Sequence, residues 1–314
     1  MKPAQLGAPV DDTVPLLARS CPVCGSNRVK LHLDGSRHSL DHAAFGSSRT
    51  DLSIGRLLRC IDCGFGFTEV RPALDRLKDL YRSLDTAVYE SEALARTRTA
   101  QRHLRMLNRH AHAPGRLLDV GCASGKFLFA ATEAGWTATG IEPSEVLCRQ
   151  AQQLLDGSAC VLNHTLEESD LPAAHFDAVT MWDVLEHVPD PRAFISKSIS
   201  LLKPGGLLVV NVPDLNSCVA RLLGRRWPLL LPEHLNYFTR ASLKACVQTV
   251  GAELLEIGHR PVNFSIQYVL YRASQHMPVF RLLSHAVAGS RLSGCLVLVW
   301  MGELYGVWRK RNAI

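Results

Sequence analysis

Four cysteines stand in two Cys-x-x-Cys-Gly units, Cys21-Pro-Val-Cys24-Gly25 and Cys60-Ile-Asp-Cys63-Gly64. A glycine directly after the second thiol lets the chain turn so that backbone NH groups point at sulfur. Two such turns supply four thiolates, the donor set of a closed tetrahedral Zn(II) site with no position left for water. Two redox-active pairs are the competing chemistry, but the duplication and the trailing glycines are better explained by metal. Cys21, Cys24, Cys60 and Cys63 are therefore expected to hold a structural zinc ion.

A second chemical cluster lies in LLDVGCASGKF, residues 117–127. RLLDVG suits a buried strand. Gly121, Cys122, Ala123, Ser124 and Gly125 then make a turn small enough for a ligand to press on backbone NH groups, ahead of a helix beginning near Lys126. A dinucleotide site would present GxGxxG to a pyrophosphate, whereas here Asp119 at the loop entrance disfavours a diphosphate and favours a ligand with a cationic amino group. Glu142, in GIEPS at the end of the next apolar stretch, is placed to accept from both hydroxyls of a ribose. An amino acid joined to a nucleoside satisfies both acids, and S-adenosylmethionine (SAM) is such a molecule.

These residues need strand ends to carry them. From Arg116 onward the apolar stretches RLLDVG, TATGIE, SACVLN, FDAVTMWD and GLLVVNVP alternate with the helical stretches KFLFAATEAG, SEVLCRQAQQLLD and PRAFISKSISLLKPG. Parallel strands require crossover connections, so this alternation predicts an α/β fold with a doubly wound, mostly parallel sheet. ASLKACVQTVG and AELLEIG read as a last helix and strand of that sheet, and 214–239 as an inserted segment over the strand ends, where ligands of such folds bind.

In LLDVGCASG, GIEPS, FDAVTMWDVLEHVPDP and LLKPGGLLVVNVP, taken in this order, the chain resembles the Rossmann-like class I SAM-dependent methyltransferases over roughly residues 115–258. The resemblance implies that Asp119, Gly121, Cys122, Ala123 and Gly125 surround the methionine end of SAM and that Glu142 holds the ribose. It further implies that Thr165 and Leu166 bracket the adenine, that Asp183 approaches the methionine amino group and that Trp182 forms an apolar wall. Cys122 reads as small, not reactive. With its four-cysteine ribbon the layout resembles methyltransferases of bacterial glycan and secondary-metabolite pathways.

Methyl transfer from a sulfonium is an in-line displacement, so one well-placed base can suffice for a hydroxyl acceptor. His187, after the fourth strand, and His234, in the insertion, are the candidate catalytic residues; a loop-bracing role is the competing reading for each. Asp183, Glu186 and His187 also resemble the D/E-x-x-E-H arrangement of ubiquinone-pathway O-methyltransferases, where such a cluster can hold a divalent ion. Trp227 in WPLLLP argues for an apolar pocket rim and hence a small-molecule, sugar or lipid-linked acceptor. An RNA methyltransferase and a non-catalytic SAM-binding protein are the alternative functions.

The remaining sequence bounds these readings. Thirty-five Lys and Arg against 29 Asp and Glu give a formal net charge of +6 over 314 residues, too weak to announce nucleic-acid binding. The ribbon also lacks the basic–aromatic interleaving of an RNA surface, so nucleic acid is not the expected partner. Residues 1–71 are expected to form a flexible lead-in and the ribbon, 72–114 linking helices, 115–260 the SAM-binding domain and 261–314 a helical, apolar tail. The lead-in, broken by Pro3, Pro9 and Pro15, lacks a secretory core, which places the chain in the cytoplasm with reduced thiols. Cys148, Cys160, Cys218, Cys246 and Cys295 read as core residues. LSGCLVLVWMGELYGVW, Leu292 to Trp308, reads as a buried core helix or an interfacial helix whose Arg309, Lys310 and Arg311 meet anionic headgroups; a membrane span is disfavoured by Glu303.

Overall fold

The computed structural model describes residues 20–35, 55–69, 91–248, 250–274 and 279–312. The expected lead-in, the excursion between the two thiol pairs over 36–54 and the first part of the linking helices, 72–90, lie outside the described residues.

Seven strands form the main sheet: β4 (Arg116–Val120), β5 (Thr137–Ile141), β6 (Cys160–Leu162), β7 (Phe176–Trp182), β8 (Leu202–Pro213), β10 (Ala252–Ser265) and β11 (Leu296–Lys310), in the order β10-β11-β8-β7-β4-β5-β6. The pairs β4–β5, β4–β7, β5–β6 and β7–β8 are parallel. The strand order reverses at β4, with β5 on one side and β7 on the other, which opens a crevice at its carboxyl end. Buried on both faces, β4 and β7 read as nearly continuous apolar runs, as central parallel strands do.

The crossover helices start where capping chemistry dictates. In α3 (Glu145–Leu155) the Ser144 side chain accepts from Leu147 N, and in α4 (Pro191–Leu201) Asp190 accepts from the amides of Arg192 and Ala193 with proline in the first turn. α2 (Lys126–Glu133) starts instead at Gly125, whose left-handed φ of 78° ends the glycine loop. A Cβ there would stand 3.0 Å from Ala151 Cβ, so glycine also lets α2 approach α3 closely. α1 (Ala93–His110) packs on α2 and β10, and α6 (Arg240–Gln248) on α4 and β10.

The C-terminal segment corrects the expected helical tail. α7 (Ile266–Ser274) and α8 (Val279–Val287) are helices, but LVLVWMGELYGVWRK is strand β11, antiparallel to both β8 and β10 and inserted between them. Val307 and Trp308 are fully buried there, so Arg309 to Arg311 close a central strand and do not border an interfacial helix. A continuous apolar run fits a buried strand as well as a buried helix, and the β-branched and aromatic content favours the strand. The 115–260 domain therefore draws a sheet strand from 296–310. Among the described residues no helix is long and apolar enough to cross a membrane.

A second sheet joins the thiol units to the insertion. β1 (Val29–Leu33), β2 (Leu57–Cys60) and β3 (Gly66–Thr68) form an antiparallel meander, and β9 (Asn236–Tyr237) of the insertion adds the fourth strand beside β3. Gly66 is required at this seam: a Cβ would lie 2.8 Å from Leu215 and 3.1 Å from Tyr237. Of the five remaining cysteines, Cys148 and Cys246 are buried as expected, while Cys160, Cys218 and Cys295 are exposed.

Candidate active site

Because β4, β5 and β7 are parallel neighbours, their carboxyl ends bring Asp119, Glu142 and Asp183 to the rim of one crevice. A cavity of ≈ 660 Å³ lies there, and every residue expected to hold the ligand except Gly125 lines it: Asp119, Gly121, Cys122, Ala123, Glu142, Thr165, Leu166, Trp182 and Asp183. His187 and His234 line the same cavity. Gly125 stands behind the loop as the start of α2.

The glycine loop is pinned to the next strand: the NH groups of Gly121 and Cys122 donate to Ile141 O at 2.8 and 3.0 Å. Gly121 and Ala123 take left-handed φ of 71° and 48°. Glu142 accepts from Ala123 N at 2.9 Å and from Ser144 N at 2.8 Å, one on each oxygen, so its carboxylate is oriented by backbone before any ligand arrives. Asp119 accepts from the Thr180 hydroxyl at 2.6 Å. Burial pushes Asp119 up to about 8 and Glu142 up to about 7, outweighing the hydrogen bonds that favour their charged forms. Two desolvated carboxyls this close to amides suit a ligand bringing a positive charge and hydroxyl donors, which is what SAM offers. Cys122 is buried and its thiol is pushed far up by burial, so it is a neutral packing group.

Just past the end of β7, Asp183 has a left-handed φ of 58°, a conformation that non-glycine residues sparsely use. Its Oδ1 accepts from Asn211 Nδ2 at 2.6 Å, and the same nitrogen reaches Glu303 Oε2 at 3.0 Å. Burial raises both carboxyls. Trp182 stacks on His103 of α1, with centroids 3.8 Å apart and planes 8° apart, and meets Phe127 edge-on. Leu166 is buried, and Thr165 is held in a local turn by Glu168 at 3.1 Å.

The two histidines face each other edge to face at 4.8 Å. His187 Nδ1 lies 3.1 Å from Glu233 O, and His234 Nδ1 lies 2.9 Å from Leu229 O. Burial holds His187 down to about 4 and His234 well below its ordinary value, the latter also repelled by His187. Glu186, His187 and His234 bring ligand atoms within 4.8 Å of one another, and Glu186 Oε2 is buried without a hydrogen-bond partner.

The four thiols also meet. Their sulfurs all lie within 4.8 Å, with Cys21–Cys63 and Cys24–Cys60 each at 3.6 Å. Four sulfurs about 2.3 Å from a central ion would stand about 3.8 Å apart, so the cluster fits Zn(II). Gly25 and Gly64, both at φ 75°, donate back to Cys21 O and Cys60 O and close the two turns.

Glu303, His103 and Glu233 line the cavity beside the expected residues, and Asn211 stands behind it, holding Asp183 and Glu303. Glu303 alone carried a signal, as the one acid in a long apolar run; it sits at the middle of β11 and faces the cavity.

A family model described as a methyltransferase domain matches residues 92–257. The ubiquinone biosynthesis O-methyltransferase of Thiobacillus denitrificans is 31% identical over 166 residues, which cover 49% of this chain and 72% of that protein. Its counterpart in Xanthomonas campestris pv. campestris is 32% identical over 156 residues, covering 46% and 65%. In Coxiella burnetii (strain RSA 331 / Henzerling II) the figures are 28% over 151 residues, 45% and 64%, so the chain spans about two thirds of these relatives' length. Among solved structures, a chain of the complex between the Haloferax volcanii Trm112 methyltransferase activator and a methyltransferase matches with a TM-score of 0.50 at 16% identity. It covers 68% of this chain and 91% of that one, a likeness of fold alone.

Proposed function

The chain belongs to the methyltransferase-domain family and is a SAM-dependent methyltransferase, and from that premise we propose that it methylates a hydroxyl on an apolar small molecule, with His187 and His234 as the groups that take up the hydroxyl proton. The observation that carries this reading is the histidine pair in the cavity wall. A carbonyl oxygen only accepts, so the contacts of both Nδ1 atoms with backbone carbonyls leave the proton on Nδ1 and the lone pair on Nε2. Burial keeps both rings neutral at pH 7. Neutral imidazoles held this low are weak bases that present an acceptor nitrogen to the hydroxyl and take its proton as the oxygen bonds to the methyl, when that proton becomes strongly acidic.

Bound SAM supplies a methyl group on a sulfonium, already activated for displacement. The chain's own residues orient, exclude water and move one proton. In this reading Asp119, Asp183 and the small residues Gly121 and Ala123 of the loop surround the methionine end, Glu142 holds the ribose hydroxyls, and Thr165 and Leu166 the adenine, with Trp182 as an apolar wall and Cys122 as inert lining; the NH groups of Gly121, Cys122, Ala123 and Gly125 are spent inside the protein and brace the loop. The relatives named for O-methylation support oxygen as the accepting atom. The apolar wall of Leu229, Leu231, Val299 and Met301 supports an aromatic, deoxy-sugar or lipid-linked acceptor. Zn(II) at Cys21, Cys24, Cys60 and Cys63 would be structural.

The clustering of Glu186, His187 and His234 favours a second reading, in which these side chains hold a divalent cation whose charge lowers the pKa of the acceptor hydroxyl. Transfer of tritium from methyl-labelled SAM into lipid, glycan and RNA fractions tests the function. Label in the lipid or glycan fraction supports it, label confined to RNA overturns the acceptor class, and none anywhere favours a SAM-binding protein. Addition of Mg²⁺ to chelator-treated enzyme with intact zinc separates the two readings of the histidines.

A further inference from the structure

The C-terminal helices leave an apolar surface beside the cavity that no other part of the described chain covers. No residue of α7 is buried, and Ser284 is the one buried residue of α8. Leu282 is 74% exposed, Val279 55% and Leu292 57%. At the start of β11 the side chains alternate: Leu298 and Trp300 stand 50% and 58% exposed, while Val299 and Met301 line the cavity. Leu222 of α5 (Cys218–Leu223), in the insertion, is 86% exposed. Single exposed apolar residues are ordinary, but a group on neighbouring elements marks an interaction surface.

The insertion and the C-terminal helices are joined. Trp227 Nε1 donates to Met301 O at 2.7 Å, and Arg272 of α7 reaches Pro228 O at 3.4 Å. Tyr268, Val269 and Arg272 of α7 and Pro228 and Leu229 of the insertion all line the cavity. The apolar surface and one wall of the candidate active site are thus built from the same segments.

Charge identifies the occupant. Residues 215–232 and 264–302 hold six arginines and not one Asp, Glu or Lys. Arg221, Arg226, Arg281 and Arg291 are exposed among the apolar side chains. Exposed Leu, Val and Trp with arginines and no acid complement a leaflet with anionic headgroups, because the apolar side chains enter the acyl boundary while the guanidiniums stay with phosphate. We propose that this surface docks the enzyme on an anionic bilayer and sets the α7 wall against the leaflet, so that an acceptor with a hydrocarbon tail passes from lipid into the cavity. The docking stands on the surface alone; the passage of acceptor rests on the O-methyltransferase reading above.

Co-flotation of the full chain with vesicles of phosphatidylglycerol and phosphatidylcholine, compared with phosphatidylcholine alone, tests docking. The expected result is binding to the anionic vesicles, weaker at high salt, and at least tenfold weaker for the double variant Leu282→Glu, Trp300→Glu. An unchanged circular dichroism spectrum and unchanged adenosylhomocysteine affinity show that the variant is folded. No flotation of the wild type, or equal flotation of the variant, overturns the docking. So does self-association of the wild type that the double variant abolishes without any vesicle binding. Methyl transfer to lipid without flotation sinks the docking alone, whereas flotation without methyl transfer sinks the acceptor reading alone.

Discussion

Asp183 and Glu303 share a single donor: Asn211 Nδ2 lies 2.6 Å from the first carboxyl and 3.0 Å from the second, although the two acids, one just past β7 and one on β11, are 120 residues apart in the chain. Glu303 is buried and Asp183 faces the cavity; both are raised, Asp183 raises Glu303, and each raises Glu186. Removing the donor deprives both acids of it at once, and Glu303 has no water to replace it. Asn211→Leu is expected to cost about 1–3 kcal/mol of stability, whereas Glu303→Gln, which removes one acid and retains the shape, is expected to leave the melting temperature unchanged or higher. Thermal unfolding of both ligand-free variants at pH 7 checks the contrast.

The glycine-loop acids give a pH dependence whose sign is unusual for carboxyls. Folded Asp119 titrates near 8 and Glu142 near 7, above the unfolded values of 3.8 and 4.5. The native ligand-free state therefore binds more protons than the unfolded state, and this contribution to stability is full below about pH 4 and lost as pH rises through 7 to 8. A cationic amino group has the opposite demand. Adenosylhomocysteine affinity is expected to rise from pH 6 to 8.5, with proton release seen as a buffer-dependent heat in calorimetry. Asp119→Asn should flatten the apo profile and weaken binding about 10- to 100-fold, the scale of one hydrogen bond to a charged group.

The parts legible in sequence are those with local patterns. The turn from Asp119 to Gly125 and the strand ending before Glu142 show themselves in a few consecutive residues, and the βα alternation fixes which strand tips meet. β11 was not legible because an apolar run such as LVLVW has no period that separates a buried strand from a buried helix. Its glycines serve the strand: a Cβ on Gly306 would lie 2.1 Å from the Trp308 ring, and Gly302, at φ 92°, lies against Ser217. The two-residue pairing of β3 with β9 joins Phe67 to Asn236, too short and too distant in sequence to leave a pattern.

The histidine pair predicts a rate profile without an ordinary imidazole limb. With His187 held to about 4 and His234 well below its ordinary value, both by burial, methyl transfer should not fall between pH 7.5 and 6 through histidine protonation. The contribution of His187 to stability runs the same way: it is complete above pH 6.5 and lost as pH falls through about 4. His234→Ala is expected to lower kcat about 10²- to 10⁴-fold while adenosylhomocysteine affinity changes less than twofold. A parallel loss of affinity would mark the residue as a brace of the cavity.

Metal loss should be felt at the histidines through the ribbon. Thr239 donates its hydroxyl to Cys63 O at 3.2 Å, β3 pairs with β9, and Thr68 N donates to Leu235 O at 3.0 Å. Leu235 and Asn236 in turn donate their amides to Glu186 O at 2.8 and 2.9 Å, and the Asn236 side chain donates to Leu185 O and Val188 O. The loop that carries His187 is thus one strand away from the thiol cluster, whereas Asp119 and Glu142 are held by the main sheet. Zinc analysis is expected to give one ion per chain and to fall for Cys24→Ser. The zinc-depleted chain should exchange the amides of Leu235 and Asn236 at least tenfold faster, melt lower and lose methyl transfer, yet bind adenosylhomocysteine within about twofold of the loaded enzyme. Unchanged zinc stoichiometry in Cys24→Ser would remove the metal from this account, and unchanged exchange at Asn236 would remove the coupling while leaving the metal in place.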